Sequence, residues 1–368
     1  MAQAEAGIRR LSGCGTVRAA GIFLALSGVL FGQVTIKEFN VPTAGLPLGI
    51  TSGPDGNLWF TEQISAWIGR ITTGGVFTEF AIPTGGSWGI TSGPDGNLWL
   101  TENAGNNIAR ITTSGSVTEF PIPTVGSIPR EITGGPDGSL WFAEIVGNKI
   151  GRITTSGSVT EFAVPTASSE PLGVTRGPDG NLWFTEYGGN KIGRITTAGS
   201  VTEFAVPTAG SEPLEITSGP DGNLWFTEEF GNNIGRITTG GSVIEFAIPT
   251  AGSVPWGITS GPDGNLWFTE NGGNKIGRIA TGGSITEFAV PTANSEPNGI
   301  TSGPDGNLWF TEQSGNKIGQ VVLPRAVPTP SRCGAWRSVE FCWWRWARGR
   351  CWPGVARTQF NSVAPEIG

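Results

Sequence analysis

Residues 212–250 read EPLEITSGPDGNLWFTEEFGNNIGRITTGGSVIEFAIPT, and the pattern of this unit indicates the fold. Gly, Pro, Asp and Asn clusters divide it into short apolar runs, which is typical of strands joined by tight turns. In the Pro-Asp-Gly turn, proline presets φ and glycine tolerates positive φ. We predict four strands, A to D, at Glu215–Thr217, Asn223–Glu228, Ile234–Thr238 and Val243–Ile248.

Strand B of this unit carries apolar bulk on both faces. Side chains alternate along a strand, so Leu224 and Phe226 should face one side while Trp225 and Thr227 face the other. A sheet with one solvated face would instead alternate apolar and polar residues. The pattern therefore predicts a sheet that is covered on both sides.

The unit occurs seven times. Gly-Pro-Asp-Gly recurs with its aspartate spaced by 40 residues once and by 42 residues five times, at Asp55, Asp95, Asp137, Asp179, Asp221, Asp263 and Asp305. Repeats of about 40–45 residues that contain strands are typical of propeller blades. We predict an all-β, seven-bladed β-propeller with four antiparallel strands in each blade.

The two ends of the array complete each other. The first recognisable strand, residues 34–41, matches strand D, whereas the last unit, residues 299–323, has strands A, B and C but no D. The N-terminal strand should therefore pair with the last blade and close the ring, which removes exposed sheet edges. An open solenoid is the rival interpretation, but it does not explain these complementary ends. We assign residues 33–323 to the propeller.

Residues 1–32 resemble a secretory signal, because arginines precede a short apolar run at residues 19–31. We expect export, to the medium, the periplasm or the surface of a bacterial cell, with no membrane span in the mature chain. An uncleaved anchor is the alternative. Residues 324–368 hold five Trp, seven Arg and three Cys without any strand or helix period. A disordered tail, an out-of-frame segment and a small disulfide module are the three interpretations of this stretch.

Composition excludes several kinds of chemistry. The chain has no histidine, and its four cysteines all lie outside the repeats. This excludes a conventional zinc site and a Ser-His-Asp or Cys-His arrangement in the propeller. Residues 33–323 carry a net charge of −14, which argues against a nucleic-acid partner. We expect a monomer that binds a small cyclic or apolar ligand, or a protein.

The seven copies differ mainly on one face. The A–B turn is the same in every blade, whereas the B–C and D–A loops, which share the opposite face (the top face), vary. We call the residue that begins strand A the opener. The openers are Leu48, Trp88, Arg130, Leu172, Leu214, Trp256 and Asn298.

An invariant face and a variable face suggest different roles. We predict that the variable top face binds a ligand, although neutral drift in tolerant loops gives the same pattern. The candidate ligand-binding residues are Trp88, Arg130, Trp256, Leu172, Leu214 and Tyr187.

The repeated phrase GPDGNLWFTE, followed by GNKIGRIT, GSVTEF and VPT, resembles the streptogramin B (virginiamycin B) lyase family over residues 34–323. The resemblance implies a seven-bladed propeller and a Mg²⁺-dependent opening of a cyclic depsipeptide by elimination at its ester C–O bond. It also implies a site at the top of the channel, with two histidines that open strand A in neighbouring blades and with nearby glutamates.

Carried over residue by residue, the resemblance gives an incomplete site. The histidine positions match the seven openers, none of which is histidine; the nearest neighbouring pair is Trp256 and Asn298, of which only Asn298 is polar. Glu296 and Glu312 match the glutamates. The resemblance therefore implies Glu296, Glu312 and Asn298 as catalytic residues, with Glu296 and Glu312 as Mg²⁺ ligands. Positioned acid–base groups contribute roughly 10²–10⁴-fold to rates, so the missing histidines favour a binding or scaffold protein over a divergent Mg²⁺-dependent lyase.

A glutamate ends strand B in every blade, and a single site does not need seven of them. We expect these glutamates to serve the scaffold, as hydrogen-bond acceptors or as partners of the arginines in strand C. Blade 7 has Gln320 in place of that arginine, so Glu312 is expected to lack this partner.

Overall fold

The structure, a computed structural model, describes residues 33–324. These residues form 28 β-strands. Strands A of blades 1–7 are β2 (Pro47–Ser52), β6 (Ser87–Ser92), β10 (Pro129–Gly134), β14 (Pro171–Arg176), β18 (Pro213–Ser218), β22 (Pro255–Ser260) and β26 (Pro297–Ser302). Strands B are β3 (Leu58–Glu62), β7 (Leu98–Glu102), β11 (Leu140–Glu144), β15 (Leu182–Glu186), β19 (Leu224–Glu228), β23 (Leu266–Glu270) and β27 (Leu308–Glu312).

The outer two strands of each blade follow the same pattern. Strands C are β4 (Trp67–Ile71), β8 (Asn107–Ile111), β12 (Lys149–Ile153), β16 (Lys191–Ile195), β20 (Asn233–Ile237), β24 (Lys275–Ile279) and β28 (Lys317–Val322). Strands D of blades 1–6 are β5 (Phe77–Ala81), β9 (Val117–Pro121), β13 (Val159–Ala163), β17 (Val201–Ala205), β21 (Val243–Ala247) and β25 (Ile285–Ala289), and β1 (Thr35–Asn40) supplies strand D of blade 7.

The strands form seven four-stranded sheets, which confirms the seven-bladed propeller. The ring closes as predicted, because β1 pairs antiparallel with β28 from Thr35 opposite Val322 to Asn40 opposite Lys317. No helix long and apolar enough to cross a membrane occurs in residues 33–324. The predicted signal at residues 1–32 and nearly all of the predicted tail, from residue 325 onward, lie outside the described residues.

Strand A is longer than the sequence predicts. In blade 5 it begins at Pro213, two residues earlier than expected, with Pro213 opposite Glu228 and a register shift before Ile216. The irregularity sits at the top of the strand, where the opener Leu214 lies. Sequence periodicity does not reveal such a bulge, because the extra residue interrupts the alternation of side chains.

The predicted faces of strand B are confirmed. Leu224 and Phe226 pack with Trp183 of blade 4, whereas Trp225 packs with Leu266 and Phe268 of blade 6. The same arrangement recurs at each of the seven contacts between blades, and the seven tryptophans have no exposed surface. The core is therefore a ring of seven layers rather than a single central cluster.

Each strand B tryptophan is fixed by polar as well as apolar contacts. In blade 5, Trp225 Nε1 donates to Asp221 Oδ1 at 3.0 Å, and the ring stacks on Phe246 with centroids 5.5 Å apart. Arg236 lies over Trp225 at 5.4 Å and donates to the Thr281 carbonyl of the next blade. Burial opposes ionisation, but hydrogen bonds from Trp225 and Asn223 lower the pKa of Asp221.

The predicted pairing of strand B glutamates with strand C arginines is wrong. In blades 1–5 the arginine instead lies 3.4–3.9 Å from the turn aspartate, as Arg236 does from Asp221. In blade 7, Gln320 donates to the equivalent Asp305 at 2.7 Å. The reason is geometric: Arg236 lies opposite Trp225 in the ladder, whereas Glu228 is on the other face of strand B.

The seven strand B glutamates are instead buried with no exposed surface. Burial raises their pKa values to about 7 at Glu62, Glu228 and Glu312 and to about 8 at Glu102, Glu144, Glu186 and Glu270. At Glu102 the nearby Glu119 carboxylate raises the pKa further. In four blades, the strand C lysine pairs with the strand D glutamate, as Lys149 does with Glu161 at 3.1 Å.

The buried glutamates predict how stability depends on pH. In the unfolded chain they ionise with a pKa near 4.5, whereas the folded chain keeps their protons up to a pKa of about 7 or 8. Their contribution to the free energy of unfolding is therefore fully present below about pH 4.5, and it is lost as the pH rises through about 7 to 8. We expect the melting temperature, measured by circular dichroism, to fall between about pH 5 and about pH 8.

Glu102→Gln isolates one of these groups. The amide cannot ionise, so the variant should be more stable than the wild type by about 1–3 kcal/mol at about pH 8 and nearly unchanged at about pH 5. Glu296→Gln is the matched control, because Glu296 is exposed. A wild-type melting temperature that rises steadily over this range, or a Glu102→Gln effect independent of pH, would contradict the prediction.

Strand C carries a glycine beneath the strand B phenylalanine. A Cβ at Gly235 would lie 2.1 Å from Phe226 Cζ, so Gly235→Ala should destabilise the chain by about 1–3 kcal/mol. Blade 2 has Ala109 at this position, opposite Leu100. We therefore expect Phe226→Leu to rescue Gly235→Ala in the double variant, measured by urea denaturation. Additive losses in the double variant would show that the two positions are not coupled.

Candidate functional site

In six blades, a strand B threonine of the preceding blade donates a hydrogen bond to the backbone carbonyl of the opener. Thr227 Oγ1 donates to the Trp256 carbonyl at 2.7 Å and accepts from the Glu215 amide. The same threonine bond reaches the carbonyls of Trp88, Arg130, Leu214, Asn298 and Leu48 at 2.6–2.7 Å. Blade 3 has Ala143 in place of the threonine, so Leu172 receives no such bond in the described chain. The backbone is thus fixed while the opener side chain varies.

Two openers meet across the mouth of the channel. The rings of Trp88 in blade 2 and Trp256 in blade 6 have centroids 6.5 Å apart at an angle of 36°. The Arg130 guanidinium lies over the Trp88 ring, 3.7 Å from its centroid, in the range of a cation–π contact. The structure therefore brings together three of the predicted ligand-binding residues, in one row across the mouth.

The other predicted ligand-binding residues are placed differently. Leu172 and Leu214 are 6% and 1% exposed, so they pack inside the layer of openers and offer little surface to a ligand. Tyr187 lies in the B–C loop of blade 4, directly after Glu186. Burial raises the pKa of its phenol, and hydrogen bonds to Glu212 and Glu229 raise it further.

A cavity of about 80 Å³ lies on the channel axis, lined by Trp256, Asn298, Glu131 and Glu215. Burial raises the pKa of Glu131 to about 7, against the opposing effect of Arg130, and burial and the charge of Glu131 raise that of Glu215. Glu131 and Glu215 are not among the site residues predicted from the sequence. Comparison of the copies would have revealed them, because the other five blades have glycine there: Gly49, Gly89, Gly173, Gly257 and Gly299.

The residues implied for catalysis lie in blade 7. Asn298 is 2% exposed, and its Nδ2 donates to Gln313 Oε1 at 3.3 Å. Glu296 is exposed, has φ of +53° and accepts a hydrogen bond from Ser314. Glu312 is fully buried, and burial followed by the charge of Glu38 raises its pKa to about 7.

The positions of Glu296 and Glu312 decide whether the two residues can share the implied Mg²⁺ ion. A hard cation requires ionised, accessible oxygen ligands, but only one of the two glutamates reaches the surface. Glu296 and Glu312 therefore do not fit a shared Mg²⁺ site as they stand, and we derive no step through the ion. Within residues 33–324, no three His, Cys, Asp or Glu side chains converge on a position that could hold a metal.

Comparison with known proteins gives consistent results. A streptogramin B lyase structure is 42% identical, with a TM-score of 0.76, and the match covers 79% of this chain and 98% of that one. A catalytically inactive histidine-to-alanine variant of virginiamycin B lyase from Staphylococcus aureus, with quinupristin, is 43% identical with the same TM-score, and the match covers 79% of this chain and all of that one.

A curated relative matches over a shorter stretch. Virginiamycin B lyase from Saccharopolyspora erythraea is 54% identical over 46 residues, which are 12% of this chain and only 15% of that protein. The profile of the Virginiamycin B lyase family matches residues 28–188 and 132–329, so it spans every blade. Fold, repeat and profile agree, and the chain belongs to the Virginiamycin B lyase family.

Proposed function

We propose that this chain is a binding member of its family, which takes an apolar or cyclic ligand on its top face and leaves that ligand intact. The observation that carries this proposal is the absence of histidine from the whole sequence. In the S. aureus relative, the variant in which a histidine is replaced by alanine is catalytically inactive. By the residue correspondence, the family's histidines fall among the openers, none of which is histidine here. In the nearest neighbouring pair, Trp256 and Asn298, neither side chain is a general base at neutral pH.

The distribution of exposed apolar side chains supports a binding role. Seven large apolar residues in the described chain are substantially exposed, and five lie on the top face: Ile64, Trp67, Val125, Val146 and Phe230. Exposed apolar residues that gather on one face are typical of interaction sites. The acidic propeller around them favours neutral or cationic ligands over anionic polymers.

The proposal also includes export of the protein from the cytoplasm. The apolar run near the N-terminus is the basis for proposing that the propeller works outside the cytoplasm, where it would meet ligands from the medium. The alternative function, a Mg²⁺-dependent C–O lyase, depends on Glu296 and Glu312. The buried, weakly acidic Glu312 makes that alternative the less favoured one.

Quinupristin tests the proposal directly. The full chain is incubated with quinupristin and Mg²⁺, binding is measured by calorimetry, and the ring is followed by liquid chromatography and tandem mass spectrometry. We expect binding and an intact ring. An elimination product would have unchanged mass but a linear fragmentation pattern. Its appearance, and its loss with EDTA, would overturn the proposal and favour the lyase.

Opener variants locate the binding surface. Trp256→Leu introduces the side chain that opens three other blades, so it should fold, as checked by circular dichroism. We expect quinupristin to bind this variant at least about tenfold more weakly, since a buried aromatic contact contributes on the order of 1–2 kcal/mol. Val76→Thr, on an exposed turn of the opposite face, is the control. Equal affinity in the wild type and Trp256→Leu would argue against a top-face site.

A further inference from the structure

A second feature of the top face lies beside the row of Trp88, Arg130 and Trp256. It is an open pocket of about 400 Å³ at blade 3, next to the loop that leads into blade 4. Ile128, Ile145 and Val146 form its apolar wall, while Arg130 and Glu170 contribute opposite charges. Ligand pockets usually span about 300–1,000 Å³, so this volume suits a small ligand rather than a macrocycle.

Within this apolar wall, Ile145 is particular to blade 3. Val146 is 64% exposed although it is a large aliphatic residue. Where blade 3 has Ile145, the other blades have a polar, charged or tyrosine side chain: Gln63, Asn103, Tyr187, Glu229, Asn271 and Gln313. Because six copies of the same scaffold do without an aliphatic residue here, folding does not require Ile145.

Arg130 is the one charged opener, and its guanidinium interacts electrostatically with the neighbouring Glu131 carboxyl. Its Nε and Nη1 are buried without a hydrogen-bond partner, and no carboxylate of residues 33–324 lies within 4.0 Å of its guanidinium. The contact with Trp88 compensates only in part for this desolvation. Arg130 lines the pocket without an anion in direct contact, so a ligand carboxylate placed there would gain a charge-assisted partner.

Glu170 supplies the opposite charge at the same pocket. It is exposed and it immediately precedes Pro171, at the start of strand A of blade 4. Asn148, which also lines the pocket, is already used within the scaffold, because its Nδ2 donates to the carbonyls of Val164 and Thr166. Arg130 and Glu170 are the two charged groups of the lining that can pair with a ligand.

We propose that the blade 3 pocket binds a free aliphatic α-amino acid, with its carboxylate on Arg130, its ammonium group on Glu170 and its side chain against Ile128, Ile145 and Val146. Leucine has the matching set of groups: one anion, one cation and a branched apolar side chain. This site would be additional to the surface proposed for a cyclic ligand, and it does not depend on quinupristin binding.

Ligand analogues test each contact on the full chain by calorimetry. We expect L-leucine to bind, and leucinamide, which lacks the carboxylate, to bind at least about tenfold more weakly because a charge-assisted pair is lost. N-acetyl-leucine lacks the ammonium group and should also bind more weakly. No measurable heat with L-leucine, or equal affinity for L-leucine and leucinamide, would overturn the proposal.

Substitutions taken from the sister blades provide matched variants. Arg130→Leu copies the opener of blades 1, 4 and 5, and should reduce leucine binding at least about tenfold. Glu170→Gln should weaken the binding of leucine but leave that of N-acetyl-leucine unchanged. Glu212→Gln, at the equivalent position before blade 5, is the control and should bind leucine like the wild type.

The two proposals fail separately. Loss of leucine binding with retained quinupristin binding would remove only the blade 3 site. Retained leucine binding in a chain that does not bind quinupristin would remove only the cyclic-ligand proposal. If Arg130→Leu retains the circular dichroism spectrum of the wild type and binds leucine with unchanged affinity, Arg130 is not a ligand contact and the inference is wrong.

Discussion

The hydrogen bond from each strand B tryptophan to the aspartate of its own A–B turn is the interaction on which the ring depends. It occurs in all seven blades at 2.9–3.1 Å. It satisfies the indole N–H of a fully buried side chain, which would otherwise cost roughly 1–3 kcal/mol. The same indole stacks on a phenylalanine of strand D in every blade. One residue therefore joins the turn, the sheet and the contact between blades, which explains why Gly-Pro-Asp-Gly is the same in all seven copies.

These contacts lie between blades and at the face that carries the A–B turns. They therefore do not constrain the residues of the top face, whose sequence can differ from blade to blade. The openers illustrate the division. Threonines of the preceding blade hold six opener carbonyls, and this bond places no demand on the opener side chain. One scaffold can therefore present leucine, tryptophan, arginine or asparagine at the same position. No opener is a histidine, which is the basis for proposing a binding role, and Arg130 and Ile145 are the residues of blade 3 on which the second proposal rests.

Much of the fold was predictable from the sequence, because turn residues, strand patterns and the incomplete ends all pointed to the same ring. The pairing of strand B glutamates with arginines was predicted wrongly, although alternation already placed Glu228 on the face of Phe226 and away from that of Trp225, the residue that lies opposite Arg236. Glu131 and Glu215 were missed although the glycines of the other copies marked their positions. The contact between Trp88 and Trp256 could not be predicted, because it depends on the orientation across the channel of two side chains that are 168 residues apart in the sequence.

Hydrogen exchange of the tryptophan indole groups tests the central role of these side chains most directly. NMR on the ¹⁵N-tryptophan-labelled full chain would follow each Nε1–H, assigned by single Trp→Phe variants. We predict that all seven strand B indoles exchange slowly and at similar rates, including Trp309 in the blade that the N-terminal strand completes, whereas the exposed Trp67 exchanges fast. If any strand B indole exchanges as fast as Trp67, the seven blades do not share this common anchor, and the division between a fixed scaffold and a free top face fails.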